Sequence, residues 1–296
     1  MSLTVRHLHA LQRGITTEKA AILVTVIAVK GSAPRGAGTV MIVFEDALEG
    51  TIGGGRLEFE AIQQAHRMMS LNEAAIVRER YPLGDRLGQC CGGSVELLYE
   101  PVKRVWRAWV NDAIAALKIR KEYIRSSSEG YSHIVKPPEA YLVLFGAGHV
   151  GRALVQVLKN APIEVHWVDE REKEFPENVP VNVSREVTDL PEVVVENAPA
   201  GSAVLITTHR HDLDFTLAEI AIARSDLAYC GMIGSTSKRG RFERQWRQRG
   251  RGDAMLQNLI CPIGASGPSG KEPEVVAIAV AAEILSALSA APQQSL

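Results

Sequence analysis

Residues 141–151 read Tyr-Leu-Val-Leu-Phe-Gly-Ala-Gly-His-Val-Gly, an apolar run that ends abruptly in glycines at 146, 148 and 151. The run predicts a buried strand, Tyr141–Phe145, and the periodic apolar residues after it predict a helix to about Lys159. Each glycine has its own reason. Gly146 makes the tight turn, Gly148 lets a phosphate approach the backbone, and Gly151 lets the helix pack closely on the strand. The helix N-terminus turns free amides and a partial positive charge toward an anion. The next strand, Glu164–Val168, ends at Asp169, an acid placed to accept hydrogen bonds from a ribose or another polyhydroxyl group. His149 is not required by the turn and reads either as a surface histidine or as a ligand contact. The same glycines also suit strand–helix packing with nothing bound.

Downstream the pattern alternates. Ala203–Thr207 and Leu227–Ile233 read as strands, Phe215–Ala223 and Ser237–Arg249 as helices, and Pro273–Ser289 as a long closing helix. Strand–helix alternation predicts a parallel, doubly wound, Rossmann-like sheet. Thr207-Thr208-His209-Arg210-His211-Asp212-Leu213-Asp214 follows a buried strand, on the sheet edge where ligands of such folds bind. His209, His211 and Asp214 read as metal ligands or acid–base groups, or else as a capping and hydrogen-bonding network.

The first hundred residues differ. A short helix over 4–20 precedes a β-branched strand, Ala21–Val29, suited to burial on both faces. Strands are expected at Thr39–Phe44, Gly50–Ile52, Ile76–Tyr81 and Ser94–Tyr99, with a helix over Leu57–Met69. Three glycine-rich stretches interrupt them: Gly31–Gly38, Gly53-Gly54-Gly55-Arg56, and Gly88-Gln89-Cys90-Cys91-Gly92-Gly93. The first two fit anion binding by backbone amides with help from Arg35 and Arg56, or ordinary turns. The fold expected is α/β: an N-terminal α+β domain (1–101), a helical linker (102–138) with an amphipathic helix over 102–122, and a Rossmann-like C-terminal domain (139–296).

Cys90 and Cys91 lack the spacing of a structural zinc site, and adjacent cysteines are strained partners for each other. Flanking glycine amides, with Arg35, Arg56 or Arg86 nearby, favour a thiolate able to hold a soft metal or a sulfur-rich cofactor. The other reading is two small buried hydrophobes. The formal net charge of -1 gives no reason to expect nucleic acid or an anionic membrane as partner. The basic run from Lys238 to Arg251 reads as a solvated helix face. No signal peptide is visible, and Val275–Ala290 reads as too short and alanine-rich to span a bilayer. A cytoplasmic protein with reduced thiols is expected.

Taken together, these pieces resemble the xanthine dehydrogenase accessory protein family, XdhC and its CoxI relatives, over nearly the whole chain. The resemblance rests on Gly31-Ser32-Ala33-Pro34-Arg35, Gly53-Gly54-Gly55-Arg56-Leu57-Glu58, the Cys90-Cys91 stretch, Phe145–Val150 and Val168-Asp169-Glu170-Arg171. Thr208-His209 with Leu213-Asp214, Gly231–Ser235 with Lys238-Arg239, and Cys261-Pro262-Ile263-Gly264 extend it. Two departures stand out: His209-Arg210-His211 replaces a His-Asp-His type sequence, and Gly270–Glu274 replaces a Thr-Pro-Glu-Glu type helix start.

The resemblance implies a chaperone that binds the molybdenum cofactor (molybdopterin), protects it while a cysteine desulfurase supplies sulfur, and delivers it to apo-xanthine dehydrogenase. It implies no turnover enzyme. The cofactor-holding cysteine, with possible molybdenum contact through the cofactor, maps to Cys90 or Cys91. The wider candidate set is Gly92, Gly93, Arg35, Gly54, Gly55, Arg56, Gly146, Gly148, His149, Gly151, Asp169 and His209. A homodimer is expected, and a dinucleotide in the Rossmann half is open. One alternative is an NAD(P)-dependent oxidoreductase using Gly146–Gly151 and Asp169, although no characteristic Lys, Tyr or His spacing accompanies them. Another is a thiol-based sensor built on Cys90 and Cys91.

Overall fold

The computed structural model describes residues 3–83 and 93–290. The chain forms two compact units, Met1–Pro137 and Pro138–Leu296.

In the first unit β1 (Ala21–Lys30), β2 (Val40–Phe44), β3 (Leu48–Gly50), β4 (Val77–Pro82) and β5 (Ser94–Pro101) make one sheet in the order β3-β2-β1-β5-β4. All its pairings are antiparallel. The β-branched run of β1 puts alternate residues on opposite faces. Ile22, Val24 and Val26 pack under α2 (Gly55–Ser70), while Ala21 and Leu23 pack under α1 (Val5–Thr16) and α3 (Arg107–Lys118). Helices thus cover both faces of an antiparallel sheet. Strand β3 lies earlier than the expected Gly50–Ile52, because the Phe44 amide closes a tight turn on the Ala47 carbonyl at 2.9 Å.

The segment expected to be a helical linker belongs to this unit. Trp106, Val110, Ala113, Ile114, Leu117 and Val135 are buried in the same cluster as α1. Its polar stretch, expected to be linker, forms a hairpin of β6 (Tyr123–Ser126) and β7 (Ser132–Val135). The sequence signal was genuine but misleading: serines and a glycine at a hairpin turn look like a linker.

The second unit holds a parallel sheet of β8 (Ala140–Phe145), β9 (Ile163–Asp169), β10 (Val183–Val187), β11 (Ala203–Ile206), β12 (Tyr229–Met232) and β13 (Leu259–Ile260). Their order, β10-β9-β8-β11-β12-β13, is 3-2-1-4-5-6 in chain order, the Rossmann arrangement. Central β8 alternates cleanly. Leu142 and Leu144 face α4 (His149–Leu158) and α8 (Pro273–Ala290), while Val143 and Phe145 face α6 (His211–Ala223) and α7 (Thr236–Gln248). Burying each such large side chain contributes about 1.5–3 kcal/mol. Strand β10 and the short helix α5 (Pro191–Glu196) escaped the sequence reading, because β10 is an edge strand with polar residues outside.

Helix α8 corrects one expectation. Its 18 residues average a hydropathy of 1.7, which is long and apolar enough to cross a membrane by length and composition. Here Ala277, Val280, Ala281 and Ile284 are buried in the Rossmann core.

Candidate functional site

The antiparallel register of the first unit decides where its glycine loops go. Lys30 at the end of β1 pairs with Ser94 at the start of β5, and Ser94 pairs with Pro82 at the end of β4. Gly50, the end of β3, pairs with Met41 near the start of β2. The loops 31–39 and 51–54, and the flanking residues Leu83 and Gly93, therefore lie at the same end of the sheet. Contacts tie them together. A methyl added at Gly53 would lie 2.5 Å from Pro34 Cβ and 3.4 Å from Arg35 Cγ. One added at Gly93 would lie 2.4 Å from both the Lys30 and the Ser32 carbonyl oxygens. Cys90, Cys91 and Gly92 lie outside the described residues, as does Arg86; Gly93 marks where their loop rejoins the sheet.

The Gly53–Arg56 loop is more self-sufficient than a bare anion cradle. Gly53, Gly54 and Gly55 all take positive φ. The amides of Ile52 (2.9 Å) and Gly54 (3.1 Å) donate to Glu58 Oε2, and the Thr51 hydroxyl donates to the same oxygen. Glu58 is thus the anion this loop already holds, at the first turn of α2. The signal available in the sequence was an acid shortly after a glycine run that opens a helix. Arg56 is engaged by Glu60 at 3.0 Å, one turn along the same helix. Around Gly54 the space is open.

In the second unit the loops after β8, β9, β11, β12 and β13 line the carboxyl edge of the parallel sheet. Gly146 takes φ +108°, and a methyl there would lie 2.3 Å from the Thr207 carbonyl oxygen. A methyl at Gly151 would lie 2.2 Å from the Gly146 carbonyl oxygen. These two glycines serve packing. Gly148 does not: its φ is -73° and nothing lies within 4 Å of an added methyl. No acid occupies the first turn of α4, and no side chain caps it. Gly146→Ala is therefore expected to cost more than about 2 kcal/mol, while Gly148→Ala leaves the melting temperature within about 2 °C of the parent. Calorimetry on both variants checks this; equal losses would refute the assignment of Gly148 to open space.

Asp169 is buried and already fully bonded. Burial alone would raise its carboxyl, but the Arg171 guanidinium and the Ala147 and Arg171 amides hold it below its ordinary value. His149 is exposed at the start of α4. His209 is also exposed, with Nε2 3.8 Å from Glu170 Oε1. His211 opens α6 on the surface, whereas Asp214 is buried and accepts from the Thr208 amide (3.2 Å) and hydroxyl (2.6 Å) and from Lys238 Nζ. The network reading of Thr207–Asp214 describes these bonds; among the described residues no three His, Cys, Asp or Glu side chains group as metal ligands. The described cysteines are free thiols, and burial pushes Cys230 up to about 12 and also raises Cys261.

Two family models match the chain. One described as the XdhC Rossmann domain covers residues 142–284, and one described as the XdhC and CoxI family covers residues 15–82. The chain belongs to the XdhC and CoxI family. Among relatives, the uncharacterized protein YqeB of Escherichia coli K12 is 25% identical over 268 residues, a match covering 89% of this chain and 42% of that protein. The XdhC/CoxI chain thus spans less than half of that relative's length. A crystal structure from Bacillus halodurans, described as a xanthine dehydrogenase, superposes with a TM-score of 0.71 at 21% identity, covering 99% of this chain and 98% of that one. That likeness establishes a shared fold.

Proposed function

We propose that this chain is an accessory protein of xanthine dehydrogenase maturation that carries the molybdenum cofactor, rather than an enzyme with its own turnover. Family membership supports the accessory role. One structural observation carries the cofactor reading. Leu83 and Gly93, which flank the stretch carrying Cys90 and Cys91, lie at the same end of one sheet as the other two glycine-rich loops, with Gly53 on Arg35 and Gly93 on Ser32. A thiolate of Cys90 or Cys91 at this edge would meet backbone and guanidinium groups that suit a polar, anionic organic ligand. The open space at Gly54 leaves room there.

In this reading Cys90 or Cys91 contacts the metal or its sulfur, and Gly92, Gly93, Arg35, Gly54, Gly55 and Arg56 border the ligand. When bound, the cofactor supplies the molybdenum centre of the client enzyme; the chain's residues hold it and shield it from water. A cysteine desulfurase and apo-xanthine dehydrogenase are the proposed partners. Gly146, Gly148, His149 and Gly151 are proposed separately as a phosphate-compatible loop of the second unit.

Pterin fluorescence after oxidative release from the purified protein is the test. The parent protein, expressed in cells that make the cofactor, is expected to retain it. The Cys90→Ala/Cys91→Ala double variant is expected to lose at least about tenfold of it without a change in melting, the loss of a soft-metal ligand. Equal pterin content in both would remove the cysteines from the site, and a pterin-free parent would overturn the carrier reading.

A further inference from the structure

The acid that ends β9 has no acceptor capacity left. Asp169 Oδ2 accepts from the Ala147 amide at 2.7 Å and from Arg171 Nη2 at 2.9 Å. Oδ1 accepts from the Arg171 amide at 2.9 Å and from Arg171 Nε at 3.0 Å. Each carboxylate oxygen offers about two lone-pair positions, so these four donors fill it. The Asp169 side chain is 4% exposed, against 33% for Arg171. Arg171 therefore covers the acid, and it is held there further by Glu174 at 3.7 Å.

In Rossmann units that bind NAD, the acid in this place accepts the hydroxyls of the adenosine ribose. Here the carboxylate instead ties the glycine loop to the end of β9, through the Ala147 amide that lies between Gly146 and Gly148. The structure assigns Arg171 a specificity role: we infer that it sequesters Asp169 and so makes the second unit refuse a dinucleotide that presents an unphosphorylated ribose diol. A diol would have to displace a bidentate guanidinium, a contact charged on both sides, and replace it with hydroxyl bonds charged only on the acceptor. The ligand class this edge admits is one recognised without a vicinal diol at the end of β9. This inference rests on the β9 geometry alone and stands or falls apart from pterin carriage.

Calorimetric titration of the full chain with NAD tests it, on the parent, Arg171→Ala and Arg171→Gln. In both variants Asp169 keeps its two backbone donors and regains acceptor positions for a diol. The parent is expected to bind NAD no tighter than the millimolar range, and both variants at least about tenfold more tightly, the value of two regained hydrogen bonds to a charged acceptor. Micromolar NAD binding by the parent would overturn the inference, whatever the variants do. So would the absence of any gain in a variant whose melting curve shows a folded chain. Pterin content, read on the same preparations, reports on the carrier reading independently.

Discussion

Lys238→Met is expected to lower the free energy of unfolding by about 3–5 kcal/mol, the usual cost of leaving one buried charge without its partner. Asp214 is 1% exposed, and the Lys238 side chain only 11%. Lys238 Nζ donates to Asp214 Oδ2 and, at 2.7 Å, to the Ile233 carbonyl. Methionine matches the lysine stem in length but brings no proton. The Asp214 carboxylate would keep only its Thr208 donors, and the Ile233 carbonyl would lose its donor. The pair joins the start of α6 to the first turn of α7, so the loss falls on the carboxyl edge of the parallel sheet. Urea unfolding at neutral pH, followed by tryptophan fluorescence, measures it. The Lys238→Met/Asp214→Asn double variant is expected to recover part of the loss, since a neutral amide tolerates burial better than a carboxylate. A single-variant loss under about 1 kcal/mol, the level of an exposed ion pair, would show that water reaches the pair.

The second large effect is acid sensitivity of the first unit. Glu100 is fully buried. Burial would raise its carboxyl, but hydrogen bonds from His133 and Arg125 and their charges prevail and hold it at about 2, below the ordinary 4.5. His133 Nε2 lies 2.8 Å from Oε2, and Arg125 reaches the two oxygens at 2.9 and 3.2 Å. Arg125 also stacks over Trp106 at 4.0 Å and Trp109 at 5.0 Å. A depressed carboxyl contributes stability that is fully present above the unfolded value near 4.5 and fades as pH falls toward 2. The contribution is on the order of 3 kcal/mol. Arg125→Met is expected to remove a comparable amount at neutral pH, because the buried carboxylate is left with His133 alone, and to add the loss of cation–π stacking, about 1 kcal/mol. Glu100→Gln is expected to flatten the stability profile between pH 4.5 and 2, the interval set by the depressed carboxyl. Thermal melts across that range test the sign. An unchanged acid slope in Glu100→Gln would assign acid sensitivity to other groups.

The glycine loop shows how far residue spacing carries. Gly146 and Gly151 have the packing roles that their positions imply, and Gly148 faces open space. Asp169 shows where spacing stops. Its place at the end of β9 was legible, but its bonding partners were not, because Arg171 follows it by only two residues and either side chain was free to turn outward. In the first unit each glycine stretch was visible singly. The placing of Gly31–Gly38, Gly53–Arg56 and Gly93 at one sheet end follows from antiparallel pairing between strands far apart in sequence, and the use of Ile52 and Gly54 amides by Glu58 follows from the backbone path of that loop.

By itself the sequence determined the two-part α/β organisation, the Rossmann character of the second part and the family. Apolar period and glycine spacing record backbone conformation and buried faces, which are local properties of the chain. The tertiary structure alone decided that residues 102–137 complete the first unit, that β10 widens the sheet, and that Asp169, Glu58 and Asp214 are each already spoken for. A charged side chain is long and chooses its partner after the sheet is assembled, so its role is fixed by neighbours that no local pattern names.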